Sequence, residues 1–181
     1  MRTLDIEKLT LLKGSHPRPA DGDAMPAACV MECVAWAAGE PWTDEPTCAC
    51  PVLGAFLRNW NDCIQDDAPR TRLLAPMIPR LVGSKSTPAV EERRSYLALD
   101  WLIRVHTPAW LDMVPSLQPH AKALREAPEV RDITTAHAVN SLVNAAGDAA
   151  RAAAWDALKP TVEKLQASAL ELVERMLAVQ P

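Results

Sequence analysis

The sequence predicts an all-α protein: a helical bundle around one buried central helix, with a C-terminal alanine-rich antiparallel helical hairpin. Three observations carry that prediction. Apolar residues recur at three- and four-residue spacing in segment after segment, the period of a helix face. No segment alternates apolar and polar residues in the β-rich way of a strand, and the one Asp-Gly pair, Asp21-Gly22, falls in a loop between helical segments. Residues 134–158 are rich in alanine, the residue with the highest helix propensity.

The chain begins with a short amphipathic piece, Leu4 to Leu12, and then a loop through Gly14, Pro17 and Pro19. Asp23 is a suitable N-cap and Gly39 a suitable C′ residue, so a helix is predicted over Ala24 to Ala38, with Pro26 in its first turn. That helix carries Cys29, Val30, Met31, Cys33, Val34 and Trp36 with one charge, Glu32, and belongs in the middle of the bundle. Three prolines between Glu40 and Pro51 predict a rigid irregular loop. A second helix begins at about Val52, with Leu53, Phe56, Leu57, Trp60 and Ile64 inward and Arg58, Asn59 and Asn61 directed elsewhere.

A third helix opens at Asp66-Asp67-Ala68-Pro69 with an inward stripe of Leu73, Leu74, Met77, Ile78 and Leu81, which Pro76 and Pro79 should segment before Gly83. Thr87 as N-cap and Pro88 at the first helical position start a helix to about His106, its second half expected to be buried from two directions, by Leu97, Trp101 and Val105 on one side and Tyr96, Leu99 and Ile103 on another. Asp100 and Arg104 can pair across one turn. Thr107-Pro108 starts a short helix holding Trp110, Leu111 and Val114, and Pro115 and Pro119 interrupt the chain beyond it. The alanine-rich helix should end or kink at Pro160, and a last helix carries the stripe Val162, Leu165, Ala169, Leu172, Val173 and Met176. A helical core over 1–128 and a hairpin over 129–181, packed on it, are the expected organisation.

The 181 residues suffice for one main core, and the aromatic set is skewed, six Trp against one Tyr and one Phe. Charges at the amino terminus in place of an apolar signal segment, and no run of about 18 apolar residues, point to a soluble cytoplasmic protein. Five cysteines, an odd number, then point to reduced thiols. The net charge of −4 conceals a basic stretch, Arg70, Arg72, Arg80, Lys85, Arg93 and Arg94 against Glu91 and Glu92. Such a stretch suits solvated helix faces, and it is also where nucleic acid or an acidic partner would bind. It lacks interleaved aromatics for stacking on bases, and Pro76 and Pro79 disfavour a helix-turn-helix.

The segments Cys29-Val30-Met31-Glu32 and Gly39-Glu40-Pro41-Trp42 resemble those of a group of uncharacterised small helical proteins from actinobacterial and other high-GC bacteria and their phages. The resemblance continues through Cys48, Pro51, Phe56-Leu57-Arg58, Trp60-Asn61-Asp62, Asp100-Trp101-Leu102 and Thr107-Pro108-Ala109 to the Ala149–Trp155, Leu158–Glu163 and Glu174-Arg175-Met176 segments. It implies a phage or mobile-element accessory setting and no particular activity.

Two constellations could carry chemistry. Cys29 and Cys33, one helical turn apart, with Cys48 and Cys50 in the following loop, could converge on tetrahedral zinc, or could be small buried hydrophobes. Glu32 in an apolar helix must find partners, because an unpaired buried charge is very costly. It either anchors the Trp42 to Cys50 loop or acts as base or ligand beside Cys29 and Cys48, with His16 or Asp44 near. The histidines show no metalloenzyme spacing, His106 belonging at a helix end and His137 on a helix face, and no phosphate-loop, dinucleotide or serine-hydrolase motif occurs. The expected function is therefore protein–protein recognition, of a host factor or of the chain's own copy. The alternative is a small enzyme or a metal- or ligand-binding protein using the Glu32 helix and the Trp42–Cys50 loop.

Overall fold

The computed structural model describes residues 2, 4–18 and 27–177, with side chains after Ala157 given only at Lys159 and Ser168. Among these residues all regular structure is helical, and the only β pairing is an isolated parallel bridge between Leu11 and Ala28. Contacts divide the chain into two compact units, Met1–Ala98 and Leu99–Pro181. The division thus falls inside a helix and not at residue 128, because the segment after 99 shares its core with the alanine-rich helix.

In the first unit, α1 (Val30–Ala38) is the central helix, and seven of its residues, Val30 to Ala35 and Ala37, are buried. It starts six residues later than the sequence predicts; Asp23 and residues 24–26 lie outside the described residues. The cap is Cys29, whose sulfur accepts the N–H of Glu32 while the Glu32 carboxylate accepts the N–H of Cys29, a reciprocal capping box. At the other end Gly39 takes φ 79°, a left-handed cap that glycine adopts without steric cost.

Around α1 lie α2 (Pro51–Cys63), α3 (Asp67–Leu74), a 3-10 turn (Ala75–Met77) and α4 (Ile78–Leu81), segmented as Pro76 and Pro79 require. Leu9, Leu11, Met31, Val34, Leu57, Leu74, Ile78 and Leu81 share one core. Each fully buried aliphatic contributes about 1.5–3 kcal/mol. Gly54 lets α2 approach α1, since a Cβ there would sit 3.4 Å from the Met31 methyl. Two placements differ from the sequence reading. Leu73 is exposed, because the break at Ala75 rotates it off the inward stripe, and Asn61 is fully buried rather than turned to solvent.

Asn61 is buried because it joins three segments. Its Nδ2 donates to Leu12 O at 2.9 Å and its Oδ1 accepts the Val30 N–H at 3.4 Å. Its own carbonyl accepts Arg70 Nε at 2.9 Å. Arg70, also fully buried, donates further to Leu11 O at 3.2 Å, to Ile64 O and to Asp67. Arg70 is therefore a buried tie and not part of a basic binding surface. Burial of a guanidinium on this scale is tolerated only because its donors meet carbonyl oxygens and a carboxylate.

The helix that Thr87 and Pro88 open, α5 (Pro88–Trp101), passes into a π-helical segment (Leu102–His106) and then α6 (Thr107–Leu111). In the second unit a 3-10 turn (Pro115–Leu117) comes next, and α7 (Gln118–Arg125) begins with Pro119 in its first turn. Pro119 thus starts a helix instead of breaking one, since the missing N–H has no partner to lose there. Ile103, Leu111, Leu117, Ala121, Leu124, Val130, Val139 and Ala146 are buried. The expected burial of residues 97–105 from two sides is not found: only Ile103 is buried, while Leu97, Leu99, Trp101, Leu102 and Val105 are exposed.

The C-terminal segment is a single 45-residue helix, α8 (Ile133–Leu177), and not a hairpin. Pro160 removes one backbone N–H, but Leu158-Lys159-Pro160-Thr161 holds no Gly, Asn or Asp from which to build a reversing loop, and alanine-rich sequence precedes it. Thr135 Oγ1 accepts the Asp132 N–H at 3.0 Å and Asp132 Oδ1 accepts the Thr135 N–H at 2.8 Å, fixing its start. None of the helices, within the described residues, is long and apolar enough to cross a membrane.

Candidate functional site

The buried carboxylate on α1 is fully engaged. Glu32 accepts from the His16 N–H at 2.6 Å, from His16 Nδ1 at 3.1 Å, from Ser15 Oγ at 3.2 Å and from the Cys29 N–H at 2.8 Å. His16 in turn presents its carbonyl to Trp42 Nε1 at 2.8 Å. The anchor expected between Glu32 and the Trp42 loop therefore exists, but it passes through the His16 backbone. Ser15 and His16, which belong to no helix, are what the carboxylate holds directly.

Of the candidate catalytic residues, the fold brings Glu32, Cys29 and His16 into hydrogen-bonding range. Burial and the adjacent Glu32 push the Cys29 thiol up to about 12, and burial raises Cys33 as well. A thiol held protonated is a poor nucleophile and a poor metal ligand. The cluster is built as a clasp on the N-terminus of α1. Asp44 is engaged elsewhere: its carbonyl accepts Arg58 Nη1 at 2.8 Å and its carboxylate lies 3.9 Å from Arg58 Nε.

The proline-rich loop has its own anchor, Glu40 of the Gly39-Glu40-Pro41-Trp42 segment, whose part in holding the loop the sequence does not mark. Its carboxylate accepts the Thr47 N–H at 2.6 Å, Thr47 Oγ1 at 2.9 Å and the Cys48 N–H at 2.8 Å. Burial opposes its ionisation, but these donors outweigh burial and hold it below the ordinary carboxylate range. Cys50 caps α2 from the loop side, with its N–H donating to Ser84 Oγ at 3.0 Å. Burial raises the Cys50 thiol, yet the N–H groups of Leu53 and Val52 and the Arg94 guanidinium lower it further than burial lifts it. Among the described residues no three His, Cys, Asp or Glu side chains converge so as to hold a metal ion, and the four candidate cysteines do not assemble into one.

The basic stretch is dispersed. Arg70 is buried, Arg94 donates to Ser84 O at 2.7 Å, and Lys85 lies 3.4 Å from Glu91. Arg72, Arg80 and Arg93 are distributed one each along α3, α4 and α5.

Most of the exposed large apolar groups lie in the second unit, with Leu73, Val90 and Leu97 in the first. The π-helical i→i+5 spacing stacks Trp101 near His106, ring centroids 5.1 Å apart, and His106 lies 6.3 Å from the Trp110 ring. Trp110 Nε1 donates to His106 Nε2 at 3.2 Å, which places the neutral ring's proton on Nδ1. Trp110 is 61% and Met113 71% exposed, although side chains of this kind are usually sheltered. His106 does sit at a helix junction and His137 on an exposed helix face, as expected. The π-helical register, which no local sequence signal marks, brings Trp101 to His106, and Trp110 joins them at ordinary i+4 spacing.

On α8, Val139 and Ala146 are buried against the rest of the unit, whereas from Gly147 to Ala157 every described side chain is partly or fully exposed, Trp155 at 60%. Neither a family model, nor a curated protein, nor a solved structure matches this chain.

Proposed function

We propose that this protein works by protein–protein recognition and that its first partner is a second copy of itself, joined along α8. The observation that carries the reading is the coincidence of one uninterrupted helix with an unbroken heptad register. Trp155, Leu158, Val162, Leu165, Ala169, Leu172 and Met176 succeed one another in alternating three- and four-residue steps, the a and d positions of three heptads.

The pattern favours a parallel pair of identical chains. All three d positions are leucine, and Val162 supplies a β-branched a residue, the combination that suits two strands. In a parallel pair the flanking g and e′ positions set Thr161 against Gln166, Ser168 against Val173 and Ala154 against Lys159, with no like charges opposed. Pairing such a stripe with its copy would gain roughly 25 cal/mol for each Å² of apolar surface buried. The resemblance to proteins of high-GC bacteria and their phages suits an accessory role of this kind, with no chemistry of its own. Binding of a host protein is the second reading, favoured by the exposed Trp101–His106–Trp110 face. It requires that a Trp110→Glu variant of unchanged fold lose a partner which the parent chain retains from the native host.

Self-association is tested by light scattering on the full chain. The double variant Leu165→Asp, Leu172→Asp should give the mass of one chain where the parent gives two, and Glu163→Gln, off the seam, should behave as the parent. Equal masses for parent and double variant would refute the seam.

A further inference from the structure

Two cysteines one residue apart meet at the start of α2. Cys48 and Cys50 flank Ala49, where the chain bends into the helix. Residues two apart span at most about 7 Å between Cα atoms, and less across a bend, which lies in the range that a disulfide bridges. Cys48 is half-buried and Cys50 has no exposed surface. We propose that Cys48 and Cys50 form a reversible dithiol site, oxidised to a bridge by small aliphatic disulfides, with Cys48 as the point of entry and Cys50 as the group that closes the bridge.

One turn holds both cysteines. Gly83, at φ 76°, redirects the chain after α4, and its N–H reaches the Cys48 sulfur. Ser84 Oγ accepts the Cys50 N–H at 3.0 Å, and the Lys85 N–H donates to Cys48 O at 3.0 Å. Arg94 closes the cluster, donating to Ser84 O at 2.7 Å and to the Cys50 sulfur. The N–H groups of Val52 and Leu53, which have no partner within the first turn of α2, are directed at the same sulfur.

These contacts give the two sulfurs different roles. Burial raises the Cys48 thiol and the Gly83 N–H offsets only part of that, but Cys48 is the member that solvent reaches. Burial opposes the Cys50 thiolate too, yet its N–H and guanidinium donors outweigh burial and lower the thiol from its ordinary value. A thiolate without exposed surface meets no oxidant in solution, but it can attack a sulfur two positions away. In the first step Cys48 gives up its proton, its sulfur attacks one sulfur of the external disulfide RSSR, and RS⁻ leaves and takes up the proton as RSH. The Cys50 thiolate then attacks the Cys48 sulfur of the mixed disulfide, the intramolecular S–S bond forms, and the second RS⁻ leaves. Two electrons pass from the cysteines to RSSR, and the negative charge of Cys50 departs with the second thiolate. Because Arg94 and the α2 N–H groups stabilise the reduced form, the bridge is readily reduced again, unlike a structural disulfide.

The test is treatment of the full chain, carrying Cys63→Ser to remove the exposed thiol, with excess bis(2-hydroxyethyl) disulfide near neutral pH, followed by alkylation and mass spectrometry of its peptides. The expected product has lost two hydrogens from the peptide that carries both Cys48 and Cys50, while Cys29 and Cys33 remain reduced, which shows that the fold is intact. Dithiothreitol should restore the dithiol. Cys50→Ser should stop at a mixed disulfide on Cys48, and Cys48→Ser should leave Cys50 unmodified. Arg94→Gln should prolong the mixed disulfide on Cys48 about threefold to tenfold, because fewer Cys50 sulfurs are then ionised. A mixed disulfide that persists on Cys48 with Cys50 present, no reaction at Cys48, or a bridge that appears only as Cys29 and Cys33 are modified would overturn the proposal. Modification of Cys50 in Cys48→Ser, or closure as fast in Arg94→Gln as in the parent, would do the same. These outcomes are independent of self-association, which the leucine variants of α8 test separately.

Discussion

The Glu32 carboxylate accepts the Cys29 N–H at 2.8 Å while the Cys29 sulfur accepts the Glu32 N–H at 3.4 Å, so the two residues close the first turn of α1 on each other. The same carboxylate reaches back sixteen positions to the His16 N–H. One buried side chain, 1% exposed, thereby terminates a helix and fixes the segment that precedes it. Its role is to satisfy donors that burial would otherwise leave orphaned.

Glu32→Gln should therefore destabilise the fold by about 2 kcal/mol, because an amide replaces one acceptor oxygen with a donor and leaves a buried N–H unpaired. Urea unfolding monitored by circular dichroism measures it. A variant as stable as the parent would show that Glu32 is not a clasp and would make it a candidate catalytic group again.

Arg70→Met should cost about 3–5 kcal/mol, since it leaves the carbonyls of Leu11, Asn61 and Ile64 buried without their donor. Arg70→Lys should recover only part of that loss, because one ammonium cannot span oxygens that a planar fork reaches. Full rescue by lysine in the same unfolding experiment would contradict this.

Acid should loosen the first unit through Glu40 and Asp62. Burial opposes ionisation of both, but Thr47 and Cys48 at Glu40, and Asn61 and the Gly14 N–H at Asp62, hold them below the ordinary range. A depressed folded pKa contributes stability that is complete above the unfolded value, near 4, and disappears as pH falls through the folded one. Melting temperature should decline from roughly pH 5 downward, and Glu40→Gln should flatten that decline while lowering stability at neutral pH. An unaltered acid limb in Glu40→Gln would exclude the residue as a source.

Thiol labelling should divide the five cysteines. Cys63 is exposed and should react first, whereas Cys29 and Cys33, buried and with thiols pushed up by burial, should react only on unfolding. Mass spectrometry of alkylated peptides from folded protein at about pH 8 reads this directly. Prompt modification of Cys29 or Cys33 would mean that the first turn of α1 opens readily.

Much of the helical architecture is legible from periodicity and punctuation, and the departures have physical causes. Gly39, Pro51, Pro76 and Thr87-Pro88 act where local rules place them, because backbone constraints need no knowledge of distant partners. The start of α1 differs from the sequence reading because Asp23 is a common cap and a cysteine thiol an uncommon one. Asn61 and Arg70 read as surface groups, since their burial depends on carbonyls of Leu11 and Leu12, about fifty or more positions away. Leu97, Trp101 and Val105 form an apolar stripe by spacing and are nonetheless exposed, and the π-helical segment from Leu102 is not anticipated by three- and four-residue spacing. The site is half legible: Glu32 and its neighbours stand out in the sequence as the centre of the first unit, whereas the bonds from Glu40 to Thr47 and Cys48 depend on the turn at Gly39.

Self-association through α8 is tested most directly by sedimentation equilibrium of the parent chain over a range of concentrations. Self-pairing predicts a species of twice 19.7 kDa that dissociates on dilution or on substitution of Leu165 and Leu172 by aspartate. A mass of 19.7 kDa at every concentration would contradict it.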